Sequence, residues 1–298
     1  MFRSIRRRLS DRSLLRIPTH AISPVTGSGA YPLIAAIAAH LDSDFRRDFH
    51  ESLADWLRFC PKRRTRLDVL FGSAGALLAA AEIEGYWPGA IPIKFVRTLQ
   101  SDSVRLLTTA NLGFSHGIAG CLLALEMAHR VFGVRLGAST RRRALDTLAS
   151  ELMLLPGRGR KAAIWPLERG QSEVHIHGWC NGGPGIGLAS LGAFKLSGNK
   201  SYWDIAKLAL EGTHRFATPS PPFCCGATGR AQILIEAYRQ TSDPRWLACA
   251  RSIAQAVRFT SKYRATGLLF GRHGLRFLKW RLAHPERLPM PWMGVLSL

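Results

Sequence analysis

The chain has 298 residues, of which 47% are hydrophobic and 20% are charged. This length allows one large domain or two ordinary ones, while the apolar content excludes a disordered chain and the lack of any apolar run of 18 or more residues predicts no membrane span. Lys and Arg outnumber Asp and Glu by 41 to 20, and the formal net charge of +21 favours acidic partners without specifying a fold.

The first segment in chain order, residues 1–21, is strongly basic. Its start, "MFRSIRRRLSDRSLLRI", contains six arginines and one acid. Such a composition is typical of a targeting or membrane-surface helix, or of the remnant of a longer chain. We favour the remnant, and we predict that residues 1–21 form a basic segment separate from a domain at residues 22–298.

Six segments of this domain share a turn of small residues followed by an apolar helical run. The steps between their aligned glycines are 46, 45, 65, 44 and 45 residues. The glycines are Gly29, Gly75, Gly120, Gly185, Gly229 and Gly274. A period near 45 is typical of two helices with two connections, and strand patterns are weak, so we predict an all-α fold of helical hairpins. The longer step marks an insertion, "LLPGRGRKAAIWPLERGQSE", that we predict to be a loop.

Repeated hairpins form either an open solenoid or a closed ring. Open solenoids need polar terminal caps, but the last segment here, "LPMPWMGVLSL", is apolar. We therefore predict a closed α/α toroid in which the glycine turns meet at one end. Three of these turns carry titratable or metal-binding groups: His116 in "GFSHGIAG", Cys180 in "GWCNGGPGIG", and Cys224 with Cys225 in "FCCGATG".

The cysteines follow no regular disulfide spacing, which indicates reduced thiols in a cytosolic protein. Spacing alone favours buried structural cysteines. However, Cys180, Cys224 and Cys225 lie at equivalent points of the repeat, and three thiolates with a vacant fourth position suit a catalytic zinc site. The remaining cysteines fall within helical patterns and are predicted to be packing residues: Cys60, Cys121 and Cys249.

The turns resemble those of the lanthionine synthetase C-like (LanC) family, including the cyclase domain of the LanM-type lanthipeptide synthetases that carry a CCG motif. That family has a GxxHGxxG turn, a WCxGxPG turn and a CHG or CCG turn, and this sequence has "GFSHGIAG", "GWCNGGPGIG" and "CCGATGR" in the same order. The resemblance covers about residues 22–298. It implies an α/α toroid of seven hairpins, of which the sequence shows six.

The resemblance also implies a zinc-dependent thioether cyclase that acts on a dehydrated precursor peptide, with a dehydratase domain or protein as partner. A peptide cysteine thiol, deprotonated at the zinc, adds to dehydroalanine or dehydrobutyrine to form lanthionine or methyllanthionine. His116 matches the family's candidate acid for the enolate, and Asp68 lies where a family acid lies. The implied zinc ligands are Cys180, Cys224 and Cys225, and the implied substrate contacts are Asn181, His177 and Arg230.

The sequence departs from the family pattern at two positions. Ile176 lies where an Arg is frequent, and Asn181 lies where Tyr or His is frequent, although His175 and His177 are near enough to substitute. These departures keep open a second hypothesis, a LanC-like zinc protein that binds a peptide or glutathione with little ring closure. A glycosidase needs two opposed carboxylates, which the turns lack, and nucleic-acid binding is not expected because the basic residues are scattered without interleaved aromatics.

Overall fold

The computed structural model describes residues 22–25, 28–60, 66–157, 159–174, 177–215, 220–257, 267–290 and 293. Within these ranges the chain forms eleven α-helices and one pair of short strands, and none of these helices is long and apolar enough to cross a membrane. The chain divides into two compact units, one of Met1–Leu106 with Ala124–Leu136 and Leu298, the other of Leu107–Leu123 with Gly137–Ser297.

The first unit contains two helical hairpins. They are α1 (Ala30–Leu41) with α2 (Arg46–Phe59), joined by a 3₁₀ turn, and α3 (Ser73–Tyr86) with α4 (Ile93–Leu106). Helix α1 packs on both α2 and α3. The first eleven residues of α3 are all buried, whereas α2 and α4 bury a single apolar face. This contrast identifies α3 as an inner helix, because a helix that is apolar all round must be covered on every side.

The second unit repeats this plan. Helix α7 packs against α8, α9 packs against α10, and α9 also contacts both α7 and α11. Helix α5 begins in this unit, and its residues from Ala124 onward belong to the first. The bounds are α5 Ile118–Phe132, α6 Ala138–Ser150, α7 Gly183–Ser197, α8 Lys200–Arg215, α9 Ala227–Thr241, α10 Pro244–Ala256 and α11 Arg272–Ala283. The return helices of the last three complete hairpins are thus α6, α8 and α10.

Five helices begin in a common seven-residue glycine turn, defined here as residues 69–75, 114–120, 179–185, 223–229 and 268–274. Each turn starts with an apolar residue and ends with the aligned glycine, and the helix begins at its fifth residue. A Cβ on Gly75, Gly185, Gly229 or Gly274 would lie within 3.0 Å of the carbonyl oxygen of the turn's first residue. Only glycine permits this approach, which explains why the repeat is visible in the sequence.

Neighbouring glycine turns of the second unit pack side by side. The first residue of one turn fills the space over the last glycine of the next, since a Cβ on Gly229 would lie 3.3 Å from Cβ of Trp179, and one on Gly274 would lie 3.3 Å from Cβ of Phe223. The ring centroids of Trp179 and Phe223 are 5.7 Å apart, and those of Phe114 and Trp179 are 5.2 Å apart.

Backbone hydrogen bonds continue this register along four turns. At the second turn position, Ser115 N donates to Cys180 O at 2.8 Å, Cys180 N donates to Cys224 O at 3.0 Å, and Cys224 N donates to Leu269 O at 3.0 Å. Residues 44 to 65 positions apart in the chain therefore become adjacent. The second and third positions of these turns carry the three predicted metal ligands together with His116 and Asn181.

The insertion before α7 is not the plain loop predicted from its sequence. It contains an antiparallel pair, β1 (Met153–Leu154) and β2 (Ala163–Ile164), in which Met153 pairs with Ile164. Trp165 follows the second strand, is fully buried, and donates from Nε1 to Leu148 O at 2.7 Å. The apolar run "AAIW" supplies enough buried surface to order this part of the insertion. The predicted basic segment, residues 1–21, lies outside the described residues, and the 21/22 boundary stays a prediction.

Candidate metal centre

Three cysteine side chains meet where two glycine turns lie side by side. The sulfur atoms of Cys180, Cys224 and Cys225 all lie within 4.8 Å of one another, and none is in a disulfide. A tetrahedral zinc site with Zn–S bonds of about 2.3 Å needs sulfur atoms about 3.8 Å apart. The cluster is therefore within about 1 Å of the geometry required of three zinc ligands.

Two glycines make this approach possible. A Cβ on Gly178 would lie 2.9 Å from the carbonyl carbon of Cys225 and 3.0 Å from Cys224 O, and Cα of Cys225 would be closer still. Gly182 has φ 87° and ψ −174°, a region that is essentially restricted to glycine. This conformation lets α7 begin two residues after Asn181. The two turns that carry the cysteines, residues 179–185 and 223–229, are called the ligand turns below. Each leads directly into a helix N-terminus, whose dipole favours a thiolate.

Hydrogen bonds among the three thiols distribute their protons unevenly. Bonds from Cys180 and Cys224 lower the pKa of Cys225 to about 3, against the opposing effect of burial. The bond with Cys224 lowers the pKa of Cys180, but the bond with Cys225 and burial outweigh it and raise that pKa to about 12. Bonds with Cys180 and Cys225, together with burial, also raise the pKa of Cys224. One thiolate is favoured without a cation, and removal of the other two protons requires one.

The donor set fits zinc. Thiolates are soft ligands that select zinc over harder divalent cations, and Cys180 and Cys224 are buried while Cys225 is half-buried. Cys225 is thus the one cysteine of the cluster that is partly exposed; a catalytic zinc site differs from a structural one in keeping one position open to a further ligand. Among the described residues, no other group of three His, Cys, Asp or Glu side chains is arranged to hold a metal.

His116 and Asn181 occupy the same turn position as Cys225, the third. His116 is half-buried, and its neighbour Ser115 is bonded through its backbone to Cys180 O. Asn181 is buried, and its Oδ1 lies against Gly113, where a Cβ would be 2.9 Å from Cα of Asn181. Among the described residues this Oδ1 has no hydrogen-bond partner. His116 and Asn181 thus lie on the same series of side-by-side turns as the three cysteines.

His177 and Arg230 lie deeper. The exposed fraction is 1% for His177 and 2% for Arg230. His177 Nε2 is 3.3 Å from Gly212 O, and Arg230 donates to Thr213 O from Nε at 3.1 Å and from Nη2 at 2.7 Å. Burial, with the Arg230 charge, lowers the pKa of His177 to about 3, and burial lowers the pKa of Arg230 to about 10.

Asp68 belongs to the first compact unit and immediately precedes the glycine turn 69–75. It is buried, and its Oδ1 accepts a hydrogen bond from Phe71 N at 2.7 Å. This bond joins the Asp68 side chain to the backbone of the turn that precedes α3 and orders that turn. The two remaining residues weighed in the sequence analysis, His175 and Ile176, lie outside the described residues.

Sequence reasoning missed three residues that shape the site. Ser115 lies at the turn position of Cys180 and Cys224, and its buried Oγ has no hydrogen-bond partner among the described residues. Gly113 and Gly178 immediately precede their turns and admit the backbone of the next turn. An alignment of the turns position by position would have found all three. Ser115 aligns with Cys180 and Cys224, and each of the two glycines lies one residue before the apolar first position.

Comparison with known proteins identifies the family of this chain. Residues 1–278 match the family described as lanthionine synthetase C-like protein. The chain therefore belongs to the lanthionine synthetase C-like family. The solved structure of a protein named nisin cyclase is similar to the chain, with a TM-score of 0.54, 14% sequence identity, and coverage of 99% of this chain and 96% of that one. The predicted fold class, an all-α toroid of helical hairpins, is confirmed. The comparison with curated proteins gave no match.

Proposed function

We propose that this protein is a lanthipeptide cyclase that forms lanthionine or methyllanthionine rings in a dehydrated precursor peptide. The observation that carries the proposal is the cluster of Cys180, Cys224 and Cys225, which lies on turns whose sequences resemble those of the family. The likeness to a solved structure named nisin cyclase supports it. A dehydratase domain or protein must supply the unsaturated residues.

In this proposal Cys180, Cys224 and Cys225 hold zinc, and zinc when bound lowers the pKa of a thiol brought next to it. The half-buried Cys225 marks the side from which the peptide cysteine arrives. Three unpaired thiols in one cluster require a reducing compartment, so we place the reaction in the cytoplasm.

The reaction is the addition of a thiolate to an alkene conjugated with a carbonyl. A sulfur–carbon bond forms at the β-carbon of the dehydro residue, and the π electrons move onto the carbonyl to give an enolate. We assign to His116 the proton that the α-carbon then takes up. It occupies the third position of the turn that is hydrogen-bonded to the Cys180 turn, and it is partly exposed.

We assign supporting roles to two further residues. Asn181, which directly follows Cys180 on the same turn, is proposed to contact the substrate. Asp68 is proposed as the second acid–base group. An Asp68→Asn variant separates this role from the hydrogen bond with Phe71 N, because the amide oxygen still accepts that bond while acid–base function is lost.

The test is ring formation in a dehydrated peptide that contains one cysteine and one dehydroalanine. Ring closure leaves the mass unchanged but removes a free thiol, so the product is counted as peptide that resists alkylation. We expect the parent with zinc to close the ring well above the uncatalysed rate, and Cys180→Ala and His116→Ala to lose this activity. A folded, zinc-loaded parent that gives no acceleration contradicts the proposal.

The second candidate is a LanC-like zinc protein that binds a peptide or glutathione. Ile176, in place of a frequent family Arg, is the observation that favours it. Saturable binding of the dehydrated peptide or of glutathione without ring closure in the same assay supports this candidate.

A further inference from the structure

The buried pair His177 and Arg230 was expected to touch the substrate, but its position in the fold suits another role. Exposed fractions of 1% and 2% leave neither side chain open to a peptide. Both nevertheless belong to the segments that carry the cysteines. His177 lies three residues before Cys180, and Arg230 lies five residues after Cys225.

Both side chains bind the same feature, the C-terminal end of α8. Their acceptors, Gly212 O and Thr213 O, are consecutive carbonyls in the last turn of that helix. The last four carbonyls of a helix have no partner within it, and the negative end of the helix dipole attracts a cation. The guanidinium of Arg230 donates two hydrogen bonds to one of these carbonyls, and it carries the positive charge that this end of the helix attracts.

The histidine is fixed in one tautomer by this contact. A carbonyl oxygen can only accept, so Nε2 of His177 must carry the proton. The imidazole also lies against the first residue of α7, since a Cβ on Gly183 would be 3.1 Å from Cε1 of His177. The ring is thereby held between the start of α7 and the end of α8, and it links the Cys180 turn to α8.

We propose that His177 and Arg230 are positioning residues that tie the two ligand turns to the end of α8 and so set the separation between Cys180 and Cys225. The two turns meet at the residue after His177, because Gly178 lies directly against the backbone of Cys225. A shift of either turn along α8 would open the cluster at that contact. The inference rests on the zinc site proposed above and adds the residues that hold its ligands.

The test measures the zinc dissociation constant by competition with a chromophoric chelator, well below the unfolding temperature. His177→Phe keeps a planar ring but loses the donor, whereas His177→Gln keeps an N–H. Arg230→Met loses all donors, whereas Arg230→Lys keeps one. Residues that orient metal ligands typically contribute 10–100-fold to affinity. We expect losses in this range for the Phe and Met variants, and recovery of most of the affinity in the Gln and Lys variants.

Two further measurements separate positioning from a general loss of stability. Cobalt(II) in place of zinc should show weakened tetrahedral thiolate bands in the Phe and Met variants. Arg281→Met is the matched control, because Arg281 is also a buried arginine, bonded to Gln232 and Glu236. It should lower the unfolding temperature and leave zinc affinity unchanged. If His177→Phe does not fold, His177→Gln replaces it, and its zinc affinity should lie between those of the parent and Arg230→Met. If Arg230→Met does not fold, Arg230→Lys replaces it, and its zinc affinity should lie between those of the parent and His177→Phe.

The outcomes are distinct. Folded His177→Phe and Arg230→Met variants that keep the parent's zinc affinity overturn the inference and leave the cyclase proposal intact. The inference is also overturned if Arg281→Met loses as much zinc affinity as these two variants do. A parent that binds zinc but closes no rings refutes only the cyclase. A parent that binds no zinc overturns both the proposed metal centre and this inference.

Discussion

The contact between Gly178 and the Cys225 backbone makes a sharp prediction for Gly178→Ala. The new Cβ would lie 2.9 Å from the carbonyl carbon of Cys225 and 3.0 Å from Cys224 O, whereas carbon atoms in contact are about 3.5–4.0 Å apart. The two ligand turns must therefore separate by at least roughly 0.5–1 Å. Since zinc sites hold their ligand distances to about 0.2 Å, we expect zinc affinity to fall about 100-fold, equivalent to about 2.7 kcal/mol.

Gly267 provides the matched control. It holds the same position before the last glycine turn, but a Cβ there meets no atom within 4 Å. Gly267→Ala should keep the parent's zinc affinity and leave stability unchanged or raised by about 0.4–1 kcal/mol. Both variants are compared by chelator competition and thermal unfolding. Parent-like zinc affinity in a folded Gly178→Ala protein would refute the claim that this glycine sets the approach of the ligand turns.

Three further predictions concern charge. Cys225→His removes one negative charge from the ligand set, so we expect slower ring closure at saturating zinc, and a faster His variant would contradict this. Arg281→Met breaks a buried ion pair with Glu236, in which the charged atoms are 2.8 Å apart. It should lower the free energy of unfolding by about 3–5 kcal/mol in denaturant titrations. An unchanged free energy of unfolding would disprove the role of this pair in stability. His177 stays neutral in the folded state because its pKa is lowered to about 3, but it binds a proton below about pH 6.5 when unfolded. Stability should therefore fall by roughly 1.4 kcal/mol per pH unit between pH 6 and 4, and His177→Gln should flatten this slope if the assignment is correct.

Much of the fold was predictable because one steric requirement recurs. A glycine whose Cα lies against a carbonyl six residues earlier cannot be replaced, so Gly75, Gly185 and Gly229 mark the start of each inner helix in the sequence. The cysteine cluster was predictable for the same reason. Cys180 and Cys224 occupy the same place in successive turns, and side-by-side packing of those turns brings them together.

Other features depend on packing that no local pattern encodes. His177 and Arg230 are polar and flank the ligands, which suggests substrate contact, but their hydrogen bonds to the end of α8 remove them from solvent. The order in the insertion before α7 depends on the burial of Trp165 against α6. Neither contact is visible to an analysis of periodicity, because both join segments with different local patterns.

The central claim is that Cys180, Cys224 and Cys225 form a single zinc site. The most direct test is the metal content of the purified protein by mass spectrometry, for the parent and for the three single Cys→Ala variants. Cys249→Ala, at a half-buried cysteine outside the cluster, is the control. We expect about one zinc per chain in the parent and in the control, and loss of that zinc in each of the three cluster variants. A folded parent without zinc, or cluster variants that keep it, would contradict the assignment of these three cysteines as zinc ligands.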